Sequence, residues 1–271
     1  MKLFAIRDGA DDAGKDLAYL IYYEVDKRFY IELPENADPW ETPLLLSGFA
    51  KRGEKTVNSY WSKIWVRQRI VPPDRQNIGQ ILRDNGLKMY DEYRLLVLSG
   101  GRCAQDEYYL APIETEMLPD VIKQRFGRKV EDVVPLPDNR LLVFFHDGTI
   151  RKCDMTWHFR TVPQFSVLLT RPELFSKVRI QSGGYGIEWD EMLSVPDEIL
   201  YKMGKRIPLA AADFRFFASE RIINSLEAAE ILGCSRQYVS ELVKTGKLEP
   251  VKTSEKNTLF LKSDVLKRNW Q

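Results

Sequence analysis

"EAAEILGCSRQYVSELVKTGKL" spans residues 227–248. Two short stretches with helical apolar spacing flank a Gly-Cys-Ser break, and the second opens on Arg236 and Gln237. Asn224 stands just upstream as a cap. Glu227, three residues later, can reach back to its N–H and complete a capping box. Ile223 and Ala228 fall at the staple positions, Ala228, Ala229, Ile231 and Leu232 make one apolar face, and Gly233 supplies the stop. Ser235 caps the next helix, whose Val239, Leu242 and Val243 repeat at i, i+3 and i+4. Arg236, Gln237, Tyr238 and Ser240 therefore lie in or near its first turn, off the apolar stripe. Gly246 ends that helix. "LEPVKTSEKNTLFLKSDVLKRN" (248–269) then reads as a two-stranded wing with its tip near Ser254 to Asn257, followed by a last helix capped by Ser263.

The order helix, turn, helix, wing, helix resembles the DNA-binding domain of excisionase and MerR-like winged-helix proteins. The residues that carry the resemblance are Glu227-Ala228-Ala229, Leu232-Gly233, Ser235, Val239, Leu242, Gly246, Leu248 and Ser263-Asp264-Val265. One departure is the wing, where Thr253-Ser254-Glu255 places an acid near the tip and the family carries more arginine and a central aromatic. The resemblance implies double-stranded DNA as partner. Arg236 and Gln237 have the chemistry for guanine and adenine edges, with Ser235, Tyr238 and Ser240 beside them. Lys244, Lys247, Lys252 and Lys256 suit phosphate. Between 235 and 262 six bases face three acids, a modest local excess of positive charge. One such domain buries little DNA, so a homodimer reading two half-sites is expected.

A chain of 271 residues exceeds the usual single domain. The expected class is α+β and multi-domain. Residues 1–115 form a mixed α/β N-terminal domain, 116–208 a small β-rich domain with short helices, 209–217 a connecting helix and 218–271 the winged helix-turn-helix. In the first, "LAYLIYYEVDKRFYIEL" (17–33) reads as a hairpin, "DPWETPLLLSGFAKRG" (38–53) as a helix opened by Asp38-Pro39, and "QNIGQILRDNGL" (76–87) as a helix. "TVNSYWSKIWVRQRI" (56–70) reads as a helix ended by Pro72-Pro73, with its β-branched residues leaving a strand open. "DEYRLLVLSGGRCAQDEYYLAPI" (91–113) reads as strand around Gly100-Gly101. In the second, "KVEDVVPLPDNRLLVFFHDGTIRKCDM" (129–155) gives three strands with turns at Pro137-Asp138-Asn139 and His146-Asp147-Gly148. "RPELFSKV" (171–178) and "VPDEILYKMG" (195–204) are short helices, and "VRIQSGGYGIEWD" (178–190) is a hairpin. This succession resembles the bacterial domain-of-unknown-function family 2442, which implies an architecture more than an activity. Members near toxin–antitoxin modules give a biological hint.

Composition excludes several classes. Lys and Arg number 40 against 39 acids, so overall charge names no partner. Cys103, Cys153 and Cys234 form no C-x-x-C pair, which argues against a disulfide framework or zinc ribbon and for the reducing cytoplasm. No apolar run reaches the roughly 18 residues of a membrane span, and "MKLFAIRDGADD" turns acidic too soon for a signal peptide. Asp8, Asp11, Asp12 and Asp16 cluster in what reads as a solvated loop, although paired carboxylates can hold magnesium. "SGGYG" (182–186) lacks the lysine of a phosphate loop and reads as a turn. His146 is read as a turn residue and His158, near Trp157 and Phe159, as a packed one. No catalytic residues, metal ligands or cofactor are expected. The densest basic stretch is 51–75, seven bases against two acids, with Tyr60, Trp61 and Trp65 interleaved. The spacing of Trp61, Ile64, Trp65 and Gln68 favours a core stripe with a solvated basic face. A second nucleic-acid or partner surface over Lys55, Lys63, Arg67 and Arg69 stays open.

The expectation is a bacterial, sequence-specific DNA-binding transcriptional regulator, associated with a mobile element, defence or toxin–antitoxin locus. Its N-terminal and middle parts would dimerise, sense an effector or bind a protein partner. The first alternative is an interaction module, an antitoxin or an inhibitor of a nucleic-acid enzyme, whose helix-turn-helix only autoregulates its own gene; the second is a nuclease or recombination enzyme using the N-terminal acids.

Overall fold

A computed structural model of the chain describes residues 1–10, 14–190, 192–254 and 257–268. Asp11 and Asp12 of the acidic cluster and Lys256 of the wing lie outside the described residues. Two compact units emerge, one built from 1–147 with 153–204, the other from 148–152 with 205–271.

The first unit begins with a five-stranded antiparallel sheet in the spatial order Thr56–Val57, Arg28–Glu32, Asp16–Tyr23, Lys2–Asp8, Tyr108–Pro112. "DLAYLIYY" is apolar nearly throughout because both faces of its strand are covered. Ala18, Leu20 and Tyr22 point to one side, where Phe49, Trp65, Val66, Leu95 and Leu96 pack from helices Leu44–Lys51, Ser59–Arg67 and Glu92–Leu98. Tyr19 and Ile21 alternate to the other side, against Ile113, Leu118 and Ile122, the last on helix Asp120–Gly127. The unit continues with hairpin Val130–Leu136/Arg140–Phe145, turned at Asp138 and Asn139, both with positive φ. An aromatic core follows, in which Phe159 meets Phe165, Phe175 and Trp189 at ring-centroid distances of 5.5 to 6.0 Å.

Two expectations need correction here. Residues 92–98 are a helix and not strand, and the strand character of 91–113 is confined to Tyr108–Pro112. Asp91 explains it: its side chain accepts the Arg94 N–H at 3.0 Å and nucleates a helix whose Leu95 and Leu96 plug the core. The helix expected from Asp38 starts later, at Leu44, because Asp38 spends its carboxylate on a local turn with Trp40 N. The "SGGYG" turn has a packing cause. Gly183 and Gly184 have positive φ, and a Cβ on Gly183 would fall 1.9 Å from the Tyr23 hydroxyl, one on Gly184 2.3 Å from the Val130 carbonyl.

A buried charge cluster also belongs to this unit. Glu32, fully buried, receives Arg125 at 3.1 Å and Lys129 at 3.4 Å, and Lys129 also meets Asp197 at 3.2 Å. The Lys129 ammonium lies 3.8 Å from the centre of the Tyr185 ring, which stacks on Tyr30.

In the second unit, strand Lys205–Ile207 pairs with 150–152 and helix Ala211–Arg221 follows. Strand Ile222–Asn224 leads into helices Ser225–Leu232 and Arg236–Lys244. Strands Lys252–Thr253 and Thr258–Leu261 form a hairpin, and helix Lys262–Arg268 closes the unit. Ile223, Ala228, Ala229, Val239, Leu242, Leu248, Phe260 and Val265 make its core.

Candidate nucleic-acid interface

Local chemistry sets the angle between the two central helices. Asn224 Oδ1 accepts from Leu226 N at 2.8 Å and Glu227 N at 3.1 Å, and Glu227 Oε2 accepts from Asn224 N at 2.8 Å. Gly233 takes the left-handed conformation that ends the first helix, with φ 61°. Ser235 Oγ then accepts the Tyr238 N–H at 3.2 Å and starts the second. That helix buries Val239 and Leu242 and exposes Arg236, Gln237, Tyr238, Ser240, Glu241 and Lys244. At about 100° per residue, Arg236, Gln237, Ser240 and Lys244 fall within one arc of about 100°, with Tyr238 to its side. Ser235 is committed to its cap, so its role in the expected site is to shape the helix start.

The wing follows this helix in the same unit. Ser254 and Asn257 close its tip through Ser254 N to Asn257 O at 2.8 Å and Asn257 N to Ser254 Oγ at 3.2 Å. Lys252 is exposed on the hairpin and Lys247 on the preceding turn. Among the described residues, Arg236, Lys244, Lys247 and Lys252 form no ion pair. The hairpin also carries a third strand that the sequence reading missed, Ile222–Asn224 pairing with Thr258–Leu261. Its signal was the Ile222-Ile223 pair just ahead of the cap. The last helix starts at Lys262, so Ser263 sits inside it and is not its cap.

The other basic stretch is organised differently. Arg69 is 5% exposed and is no surface residue: it grips Asp106 at 2.8 and 2.7 Å and stacks 4.1 Å from the centre of the Trp65 ring. Burial raises the Asp106 carboxyl, but the hydrogen bond and charge of Arg69 more than offset this, and it titrates below its ordinary value. Lys63 and Arg67 share Glu92 at 3.5 and 2.7 Å. Lys55 donates to the Glu35 carbonyl at 2.5 Å. Trp65 is buried, while Tyr60 and Trp61 are exposed. Of the expected core stripe, Trp65 is buried and Ile64 half-buried, while Trp61 and Gln68 are exposed, and the cations expected on a second surface are occupied by partners of their own chain.

His158 packs against Phe165 at 5.1 Å, and burial holds its imidazole below the ordinary value. Asp16 pairs with Arg7 at 2.7 Å. Among the described residues no group of three metal-ligating side chains comes together, and no helix is long and apolar enough to cross a membrane.

The fold and exposed face of the second unit define a winged helix-turn-helix domain. Residues 226–268 match the family model of the helix-turn-helix domain, and 130–205 match that of a protein family of unknown function, DUF2442. Both matches fall where the sequence resemblances placed them. Among solved structures, a candidate DNA-binding protein of Nitrosomonas europaea is similar at 24% identity over 45% of this chain and 79% of its own, with a TM-score of 0.25. No curated protein matches the chain.

Proposed function

We propose that the protein is a sequence-specific, DNA-binding transcriptional regulator that acts as a dimer. The observation that carries this reading is the outward face of helix Arg236–Lys244. There Arg236, Gln237 and Lys244 sit uncommitted on a helix fixed at its start by Ser235, and Lys247 and Lys252 flank it. Arg236 and Gln237 would enter the major groove and read base edges. Lys244, Lys247 and Lys252 would bind phosphates, as would Lys256, and Tyr238 and Ser240 would support the contact. A cavity of about 360 Å³ in the first unit, lined by Lys55, Arg125, Arg128, Lys129, Asp197 and Tyr201, would admit a small effector.

The test is binding of the full chain to duplex fragments from its own locus against random duplex, at two salt concentrations. The comparison protein carries Arg236→Ala with Gln237→Ala. Selective binding that the double variant loses supports the reading. Binding that is absent, or equal on all fragments and unchanged in the variant, refutes it.

A further inference from the structure

Helix Ala211–Arg221, "AADFRFFASER", has an unusual surface for the lead-in to a small domain. Only Ala211 of its 11 residues is buried. Phe216 is 72% exposed, Phe217 49% and Phe214 41%. An isolated helix of this length is marginal in water, and three phenylalanines in it add no helix propensity of their own. A cover over these rings would stabilise the segment by removing apolar surface from water.

Its charges say what the cover is. Asp213, Phe217 and Arg221 stand at i, i+4 and i+8, which is one ridge of the helix surface. Phe214 and Phe216 flank that ridge on either side. Laid antiparallel on itself with Phe217 against Phe217, the ridge places Asp213 of each copy opposite Arg221 of the other. A two-fold interface requires such a self-complementary patch. Among the described residues neither Asp213 nor Arg221 forms an ion pair.

We propose that this ridge docks a second copy of the chain, antiparallel, about a two-fold axis passing beside Phe217. The proposal deepens the dimeric-regulator reading, because it names the surface that would hold two reading helices for two half-sites. Its size sets its strength. A phenylalanine buries roughly 150–250 Å² when fully covered, so the three exposed fractions amount to about 300 Å² per copy. The pair then totals well under the roughly 1,200 Å² of a stable dimer. The free protein is therefore a weak, concentration-dependent dimer, and adjacent half-sites on DNA raise the effective concentration enough to pair it.

Sedimentation equilibrium of the full chain without DNA, over a wide concentration range, tests this. Asp213→Arg and Arg221→Asp, each made alone, should weaken self-association on the order of 10- to 100-fold, since two exposed pairs change from attraction to repulsion. The two changes together restore the complementarity and should return association to near the starting level. Phe217→Glu should abolish it. All three positions are exposed, and circular dichroism confirms that each variant folds. A chain that is monomeric throughout, single swaps without effect, or a double swap that stays as weak as the singles would each overturn the proposal. Binding to a duplex with one half-site, measured on the same variants, should not change. Failure of that binding in the unaltered chain would count against DNA reading and leave the self-association result standing.

Discussion

Replacing Glu32 with Gln is the sharpest probe of the first unit. The side chain is fully buried, and its two oxygens face Arg125 Nη1 at 3.1 Å and Lys129 Nζ at 3.4 Å, with the Thr56 hydroxyl donating from 3.2 Å. Gln keeps the shape and removes the charge, so two cations lose their shared anion in a dry environment. Removing one partner of a buried pair costs about 3–5 kcal/mol. The geometry points to the lower end. Lys129 keeps Asp197 at 3.2 Å, and Arg125 keeps the carbonyls of Lys55 at 3.1 Å and Leu33 at 2.6 Å. A loss of about 3 kcal/mol is a large share of a stability of roughly 5–15 kcal/mol. It should lower the melting temperature by about 6–12 °C for a unit of this size. Urea unfolding followed by tryptophan fluorescence measures it, because Trp40, Trp61, Trp65, Trp157 and Trp189 all lie in the first unit. Adding Arg125→Met to Glu32→Gln removes the cation that lost its partner, so the double variant should be more stable than the sum of the single losses by about 1 kcal/mol or more. A cost below about 1 kcal/mol for Glu32→Gln, or strict additivity in the double variant, would refute the picture of a desolvated, mutually dependent cluster.

Four further outcomes follow from named contacts. Asn224→Ala removes the side-chain half of the capping box, the acceptor of the Leu226 and Glu227 N–H groups, while Glu227 keeps its bond to the backbone N–H of residue 224; it should destabilise the helix-turn-helix by about 1–2 kcal/mol, read from loss of helical circular dichroism. Arg69→Lys cannot reproduce the bidentate grip on Asp106 or the stacking on Trp65, and should cost about 1–3 kcal/mol while leaving DNA affinity unchanged; a changed affinity would return Arg69 to the binding surface. Lys252→Ala should weaken binding to all duplexes alike and lower the slope of log K against log salt by about 1. Burial pushes the Asp197 carboxyl up to about 6 against the pull of Lys129. The folded state then holds a proton that the unfolded state has released, so this group's contribution to stability declines as pH rises from about 4 to about 6, by at most about 1.4 kcal/mol per pH unit. Asp197→Asn should remove that slope from a pH series of unfolding midpoints.

The helix-turn-helix was legible in the sequence because its determinants are local. A cap and its reciprocal glutamate are three residues apart, the stop is one glycine, and the apolar face repeats within two turns. The helix at Glu92–Leu98 was not, since "YRLLVL" satisfies strand and helix patterns equally and only the Asp91 cap separates them. The buried cluster was further out of reach. Glu32 is an ordinary strand residue by its neighbours, and its partners Arg125 and Lys129 come from more than ninety positions away. The glycines of "SGGYG" were visible, but the Tyr23 ring that demands Gly183 and the Val130 carbonyl that demands Gly184 were not.

Charge density and charge availability also differ, and only the second bears on binding. The stretch 51–75 has the larger excess of bases, yet Arg69 is held by Asp106, Lys63 and Arg67 by Glu92, and Arg52 by Glu54 at 2.5 Å. A phosphate arriving there would have to displace a carboxylate already in place, and the exchange gains little because one anion replaces another. Residues 235–254 carry fewer bases, but Arg236, Lys244, Lys247 and Lys252 meet solvent without an internal anion. Each of them can release a counterion when it meets a phosphate, which is the step that drives protein–DNA affinity. The Glu92 pairings lie 25 and 29 positions from their cations, so a count along the sequence credits 51–75 with charge that the fold has already spent. The same reasoning supports the proposal that the weaker basic patch, on the helix fixed by Ser235, is the surface that would bind.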